Sequence, residues 1–203
     1  MNAIISEGRE TPGRRISDAL VLALTQKGVI TKSELHQTTE AVDGLGTKGE
    51  GPLLVARAWV DPEFRNLLLL DAGAAASEIG ISASNSTAST VLTAVENTSS
   101  VHNLVVCTLC SCYPLSILGL SPPWYKSRVF RARAVRQPRE LLRSEFDLDL
   151  PQTTRVQVHD STADLRYIVI PKRPEGTEGW TEDRLASIVT RDAMIGVAEP
   201  KIY

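Results

Sequence analysis

All three cysteines of this 203-residue chain fall within six positions, Cys107, Cys110 and Cys112, in the stretch Val105-Val106-Cys107-Thr108-Leu109-Cys110-Ser111-Cys112-Tyr113-Pro114. A C-x-x-C-x-C spacing offers three thiolates to one metal ion and holds the intervening backbone against the same ion. The Cys112 sulfur and its own amide nitrogen close a five-membered chelate ring, and the Ser111 and Cys112 nitrogens close another. The Cys110 sulfur with the Ser111 nitrogen closes a six-membered ring. Together they make a nearly planar set of two sulfurs and two nitrogens. Cys107 caps one axial position, and the opposite position stays open to water or substrate. Amide nitrogens bind a metal only when deprotonated, which needs a strongly polarising trivalent ion. Low-spin Co(III) or Fe(III) suits soft thiolates in such a planar set. Zinc prefers tetrahedral thiolate and imidazole ligands.

Other uses of the thiols stay open on spacing alone. A structural zinc site needs a fourth ligand, which His102 or His159 would supply. An iron–sulfur cluster usually wants four cysteines. A disulfide with a spare thiol suits a secreted chain.

The elements that must position the loop follow from local signals. Ser17 caps a helix that runs to Lys27 and stops at Gly28. Thr31-Lys32-Ser33-Glu34 is a capping-box pattern opening a second helix to about Val42. Gly44, Gly46, Gly49 and Gly51 mark a hinge. Helices are expected over Leu53–Trp59 and from Asp61-Pro62 through Phe64, Leu67 and Leu68 toward Ile79, with Gly80 as the stop. Ser82–Thr90 reads as a loop. Val91–Val95 and Asn103–Cys107 read as strands, the second feeding the cysteine loop. Trp124 to about Val135 reads as helix, with Pro138 restarting it to Phe146. Arg155–Val158 alternates like a half-buried strand, Leu165–Ile170 is another, and Thr181 caps a last helix reaching about Thr190. The class is α+β, with a helical N-terminal arm and hinge over 1–51 and an α+β body over 52–203 that carries the cysteine loop.

The segment Val106 to Cys112 resembles the metal-binding signature of the nitrile hydratase α subunit, and Thr108 and Tyr113 are the variants of its cobalt class. The resemblance covers roughly 52–200. It includes Glu96-Asn97-Thr98 and Val101-His102-Asn103 before the loop. After the loop come Leu118-Gly119-Leu120, Pro123-Trp124-Tyr125-Lys126-Ser127 and Arg131 through Arg136. Further on are Tyr167–Pro171, Arg173–Gly179 and Ile195-Gly196-Val197. It implies a layered α-β-β-α body and hydration of a nitrile to its amide at a non-corrin Co(III) centre, with iron(III) as the alternative metal. Cys107, Cys110, Ser111 and Cys112 would be the metal ligands, with Cys110 oxidised to sulfinic and Cys112 to sulfenic acid. Cys112, Cys110 and Ser111 would be the catalytic residues, with either a metal-held water or the Cys112 sulfenate oxygen as nucleophile. A β subunit, whose arginines bind the sulfur oxygens in this family, would complete the site. It is expected as a single chain or split into two, in an αβ or (αβ)₂ assembly. Thiocyanate hydrolase shares the same claw and is the nearest alternative; a zinc-stabilised nucleic-acid-binding module is the alternative from another class.

Two departures bear on substrate. The family usually carries Trp-Pro after Tyr113-Pro114, where this chain has Leu115-Ser116. Ile81–Thr90 also lacks the expected Gly- and Gln-containing pattern. Both changes point to a bulkier substrate, such as a heteroaromatic or nucleoside nitrile. The net charge of −2 gives no general pull toward nucleic acid or membrane. The six arginines between Arg128 and Arg143 read as a solvated helix face and an anionic-partner surface rather than a nucleic-acid site. Asp160 and Arg166 either pair within the body or support the loop from behind. His102 is expected to be a hydrogen-bonded structural residue, and Trp124 and Tyr125 to be core. No signal-type or membrane-spanning run is present, so the chain is expected in the cytoplasm, where reducing conditions favour metal-bound cysteines.

Overall fold

The computed structural model describes residues 12–43, 50–83, 90–110 and 112–202. Helix α1 spans Pro12–Gln26, opening ahead of Ser17, and α2 spans Lys32–Asp43. Between them Gly28 takes the left-handed conformation (φ 66°) that ends a helix without a Cβ penalty. The capping box is present: the Thr31 N–H donates to Glu34 Oε2 (2.7 Å), and the Glu34 N–H donates to Thr31 Oγ1 (3.1 Å). Ile16, Leu20, Leu22 and Val29 on this arm are exposed. Positions 44–49 of the expected hinge lie outside the described residues, and Gly51 belongs to the next helix.

Helices α3 (Glu50–Val60), α4 (Pro62–Leu70) and α5 (Ala72–Glu78) follow. The stretch expected as one helix to Ile79 is broken at Asp71, whose backbone is extended (φ −147°, ψ 92°) and whose carboxylate accepts from the Ala74 N–H. Asp61 caps α4 likewise, accepting from the Glu63 and Phe64 N–H groups ahead of Pro62. Of the expected loop at 82–90, positions 84–89 lie outside the described residues.

Four six-residue strands make the centre: β1 (Val91–Glu96), β2 (Val101–Val106), β3 (Arg155–Asp160) and β4 (Leu165–Ile170). They pair as two parallel ladders, β1 with β4 and β2 with β3. Short corners carry the chain from one ladder to the other, at 97–100 and 161–164. Parallel pairing demands a long crossover. Between β2 and β3 it contains the cysteine loop, α6 (Leu115–Leu118), a 3₁₀ turn (Pro123–Lys126), α7 (Arg128–Arg136) and α8 (Pro138–Phe146). The helix expected from Trp124 to Val135 is interrupted at Ser127, which caps α7 by accepting from the Phe130 N–H. The last expected helix divides into α9 (Glu182–Ile188) and α10 (Arg191–Ile195), each capped by a threonine, Thr181 and Thr190.

Helices α4 and α5 pack on β1, and α10 on β4 and β2. On the other side α7 and α8 pack on β2 and β3. This is the α+β class with the expected α-β-β-α layering. The core between the layers holds Leu54, Phe64, Leu68, Leu104, Val106, Phe130, Leu141, Leu142, Ile168 and Ile170.

One polar cluster is buried in this core, at the corner between β1 and β2. His102 Nε2 donates to the Gly196 carbonyl (2.8 Å), and its Nδ1 lies 3.2 Å from Asn97 Nδ2. Asn97 Oδ1 accepts from the Asn103 N–H (2.7 Å), and Asn103 Oδ1 accepts from His159 Nε2 (2.8 Å). His102 is thus the structural residue expected. Gly196 is obligatory: at φ 86°, a Cβ would stand 1.9 Å from the Asn103 carbonyl oxygen. Burial holds the His102 imidazole below its usual value, so the neutral ring is the folded form. The unfolded chain takes up a proton that the folded chain refuses, so this contribution is complete above about pH 6.5 and is lost on acidification through the window beneath it. His102→Gln is therefore expected to flatten the fall of Tm between pH 7 and pH 5, while lowering stability at pH 7.5 by about 1–3 kcal/mol. Thermal unfolding across that pH range measures both.

Candidate metal centre

The cysteine loop leaves the core at the end of β2. Val106 stands opposite Asp160 in the β2–β3 ladder, so the first loop residues emerge beside the C-terminal end of β3. Cys107 is completely buried, Cys112 is partly buried and Cys110 is exposed. The Cys107 and Cys110 sulfurs are 3.4 Å apart, and those of Cys110 and Cys112 are 3.1 Å apart. All three sulfurs lie within 4.8 Å of one another. The Cys110 N–H donates to the Cys107 sulfur (3.2 Å). Ser111 lies outside the described residues.

The donor set suits a soft, strongly polarising ion. The three thiols form no disulfide and converge on one point, and among the described residues the cluster includes no histidine or carboxylate. His102 and His159, the residues considered for a fourth zinc ligand, are engaged with Gly196, Asn97 and Asn103 instead. The zinc alternative therefore lacks its fourth ligand among the described residues. Burial, with the neighbouring Cys110 and Cys107 sulfurs, pushes the Cys112 thiol up to about 12, against the opposing pull of the Arg166 charge. In the metal-free chain this thiol keeps its proton at neutral pH, so metal uptake must release it.

Three contacts fix the loop. Thr108 gives both its N–H (2.9 Å) and its hydroxyl to the Asp160 carboxylate. Its carbonyl accepts from Arg131 Nη1 (3.1 Å). At the far end, the Tyr125 hydroxyl donates to the Cys112 carbonyl (3.0 Å). Tyr125 is fully buried, edge-on to Tyr113 at 5.1 Å and packed beside Trp124 and Phe130. Of the two residues expected to pair or to support the loop, Asp160 supports it. Arg166 donates to the Thr162, Ala163 and Leu165 carbonyls of the β3–β4 corner. The sequence reading placed Tyr125 in the core but missed its hydrogen bond to the loop. It missed Arg131 too, grouping it with the solvated arginines. The only available signals were an aromatic and a cation downstream of the loop, and neither reveals a partner.

Asp160→Ala leaves the Thr108 N–H without its acceptor. Groups that orient ligands in this way are typically worth 10- to 100-fold in metal affinity. The variant is expected to lose bound metal to a competing chelator with an affinity lowered by about that factor, and Thr108→Val, which keeps the N–H bond, by less. Metal content after graded chelator exposure reads both.

Residues 13–198 match the family model described as nitrile hydratase, alpha chain. The low-molecular weight cobalt-containing nitrile hydratase subunit alpha of Rhodococcus rhodochrous is 46% identical over 182 residues, spanning 90% of this chain and 86% of its own length. Thiocyanate hydrolase subunit gamma of Thiobacillus thioparus is 48% identical over 163 residues, spanning 74% of this chain and 67% of its own. Among solved structures, a double mutant of the Fe-type nitrile hydratase from Comamonas testosteroni Ni1 superposes with a TM-score of 0.82 at 40% identity, covering 92% of this chain and 89% of that one. A single parallel ladder thus delivers a buried thiol and two accessible ones to one point, in a chain matched nearly end to end: the protein belongs to the nitrile hydratase α-chain family.

Proposed function

We propose that this chain is the metal-holding subunit of a cobalt nitrile hydratase. It would add water across a nitrile triple bond, the oxygen going to carbon and both hydrogens to nitrogen, to give the amide. The observation that carries this reading is the convergence of the Cys107, Cys110 and Cys112 sulfurs within 4.8 Å. These thiolates, with the Ser111 and Cys112 amide nitrogens, would hold the metal. Bound Co(III) supplies Lewis acidity. The cobalt-containing relatives and the Thr108/Tyr113 pair favour cobalt over iron.

The burial gradient supports the proposed oxidation pattern, because thiolate oxidation follows exposure. Cys107 is sealed in the core and stays a thiolate. With dioxygen as the external oxidant and oxygen source, exposed Cys110 would reach sulfinic acid and Cys112 would stop at sulfenic acid, whose oxygen would act as nucleophile or accept a proton from the attacking water. Leu109, 86% exposed between Cys107 and Cys110 in the chain, leaves an apolar side chain for a β subunit to cover. That subunit, in one chain or two, would complete an αβ or (αβ)₂ assembly. Leu115 sits half-buried at the start of α6, where the family's tryptophan would add aromatic bulk. The site would therefore take a larger nitrile, such as a heteroaromatic or nucleoside nitrile.

A second reading, thiocyanate hydrolysis, draws on the 48% identity to a thiocyanate hydrolase subunit. The two separate on product. Co-expressed with its partner in cobalt-supplemented medium, the chain is expected to carry about one cobalt per three-thiol site and to form amide from nitrile while leaving thiocyanate untouched. Stoichiometric iron would keep the enzyme class and move the metal assignment; zinc alone would sink the hydratase reading. A cyano-heteroaromatic is expected to be turned over with a higher kcat/KM than acrylonitrile, and a strong preference for acrylonitrile would refute the larger pocket.

A further inference from the structure

The crossover segment that follows the cysteine loop returns to brace it at both ends. Tyr125 holds the Cys112 carbonyl and Arg131 holds the Thr108 carbonyl, so both contacts come from one short stretch of chain. Arg131 differs from Arg133 and Arg143 on α7 and α8. Arg133 pairs with Glu145 and Arg143 with Glu140. Arg131 makes no ion pair among the described residues. Its Nε is buried without an acceptor, although its Nη1 is engaged. Arg131 is half-buried, and its bond to the fixed Thr108 carbonyl holds both partners in place.

We propose that Arg131 is a positioning residue for the metal centre. Its guanidinium fixes the first turn of the loop through the Thr108 carbonyl, next to Cys107 in the chain. The inference rests on the metal-site reading above.

The test uses the complex co-expressed in cobalt medium, with Arg131→Gln, Arg131→Lys and Arg136→Gln, the last an exposed position on the same helix. Cobalt per chain, the rate of cobalt loss to excess chelator, the sulfur-to-cobalt charge-transfer absorption and Tm are measured. Arg131→Gln is expected to lose cobalt roughly 10-fold faster, in line with other groups that support metal ligands, and to shift the charge-transfer band. Arg131→Lys should fall between it and wild type, because it keeps the charge and loses the planar fork. Arg136→Gln should match wild type. Wild-type retention and an unshifted band in Arg131→Gln would overturn the proposal. If Arg131→Gln fails to fold, Arg131→Lys decides: loss faster than wild type at unchanged Tm supports the proposal, and wild-type behaviour overturns it. A wild-type complex that takes up no cobalt would instead overturn the metal-site reading, and this inference with it.

Discussion

The pairing of Val106 with Asp160 across the parallel β2–β3 ladder is the contact on which the site depends. It brings together residues 54 positions apart and sets a carboxylate beside the point where the chain leaves the core. A one-residue slip in register would turn every side chain of the strand to the other face. Asp160 would then point away from Thr108, and the first turn of the loop would lose its anchor. Because β2 is buried on both faces from His102 to Val106, specific polar contacts across the ladder pin the register: His159 donates to Asn103 within it, and Thr108 donates to Asp160 at its end.

The crossover does two jobs at once. A parallel pair needs a long connection, and here that connection begins as the cysteine loop and ends as the helical layer over β2 and β3. Because the same segment provides both, the groups that support the loop come from the layer that buries the sheet. Tyr125 is held among Tyr113, Trp124 and Phe130, so its hydroxyl is aimed by aromatic packing rather than by the loop it serves. Arg131 is set by the first turn of α7, whose start is fixed by the Ser127 cap. The result is a loop rigid at both ends and open on one face.

That openness follows a gradient from buried Cys107 to exposed Cys110. A thiol sealed under the sheet and two others facing outward give one metal position unequal sides, one dry and one accessible. On the far side of the sheet corner, Asn97, His102, Asn103, His159 and the Gly196 carbonyl form a satisfied buried network. Polar groups are tolerated there because their partners are supplied by the fold, and they tie the start of β2 to β3 and to the Gly196 turn.

Much was legible in the linear order. The three cysteines, the capping box at Thr31 and Glu34, the helix starts at Pro62 and Pro138, the strands and the α+β class are local matters, since spacing, caps and alternation act within a few residues. Where several local signals competed, reading failed: the apolar run through Leu68 continues past Asp71, but the Asp71 carboxylate captures the Ala74 N–H and divides the helix. Only tertiary structure decided that β1 pairs with β4 and β2 with β3, that Asp160 rather than Arg166 grips the loop, and that one arginine of six turns inward to Thr108. Those outcomes depend on register and burial between segments far apart in the chain, and residue types alone carry no record of which distant partner each one meets.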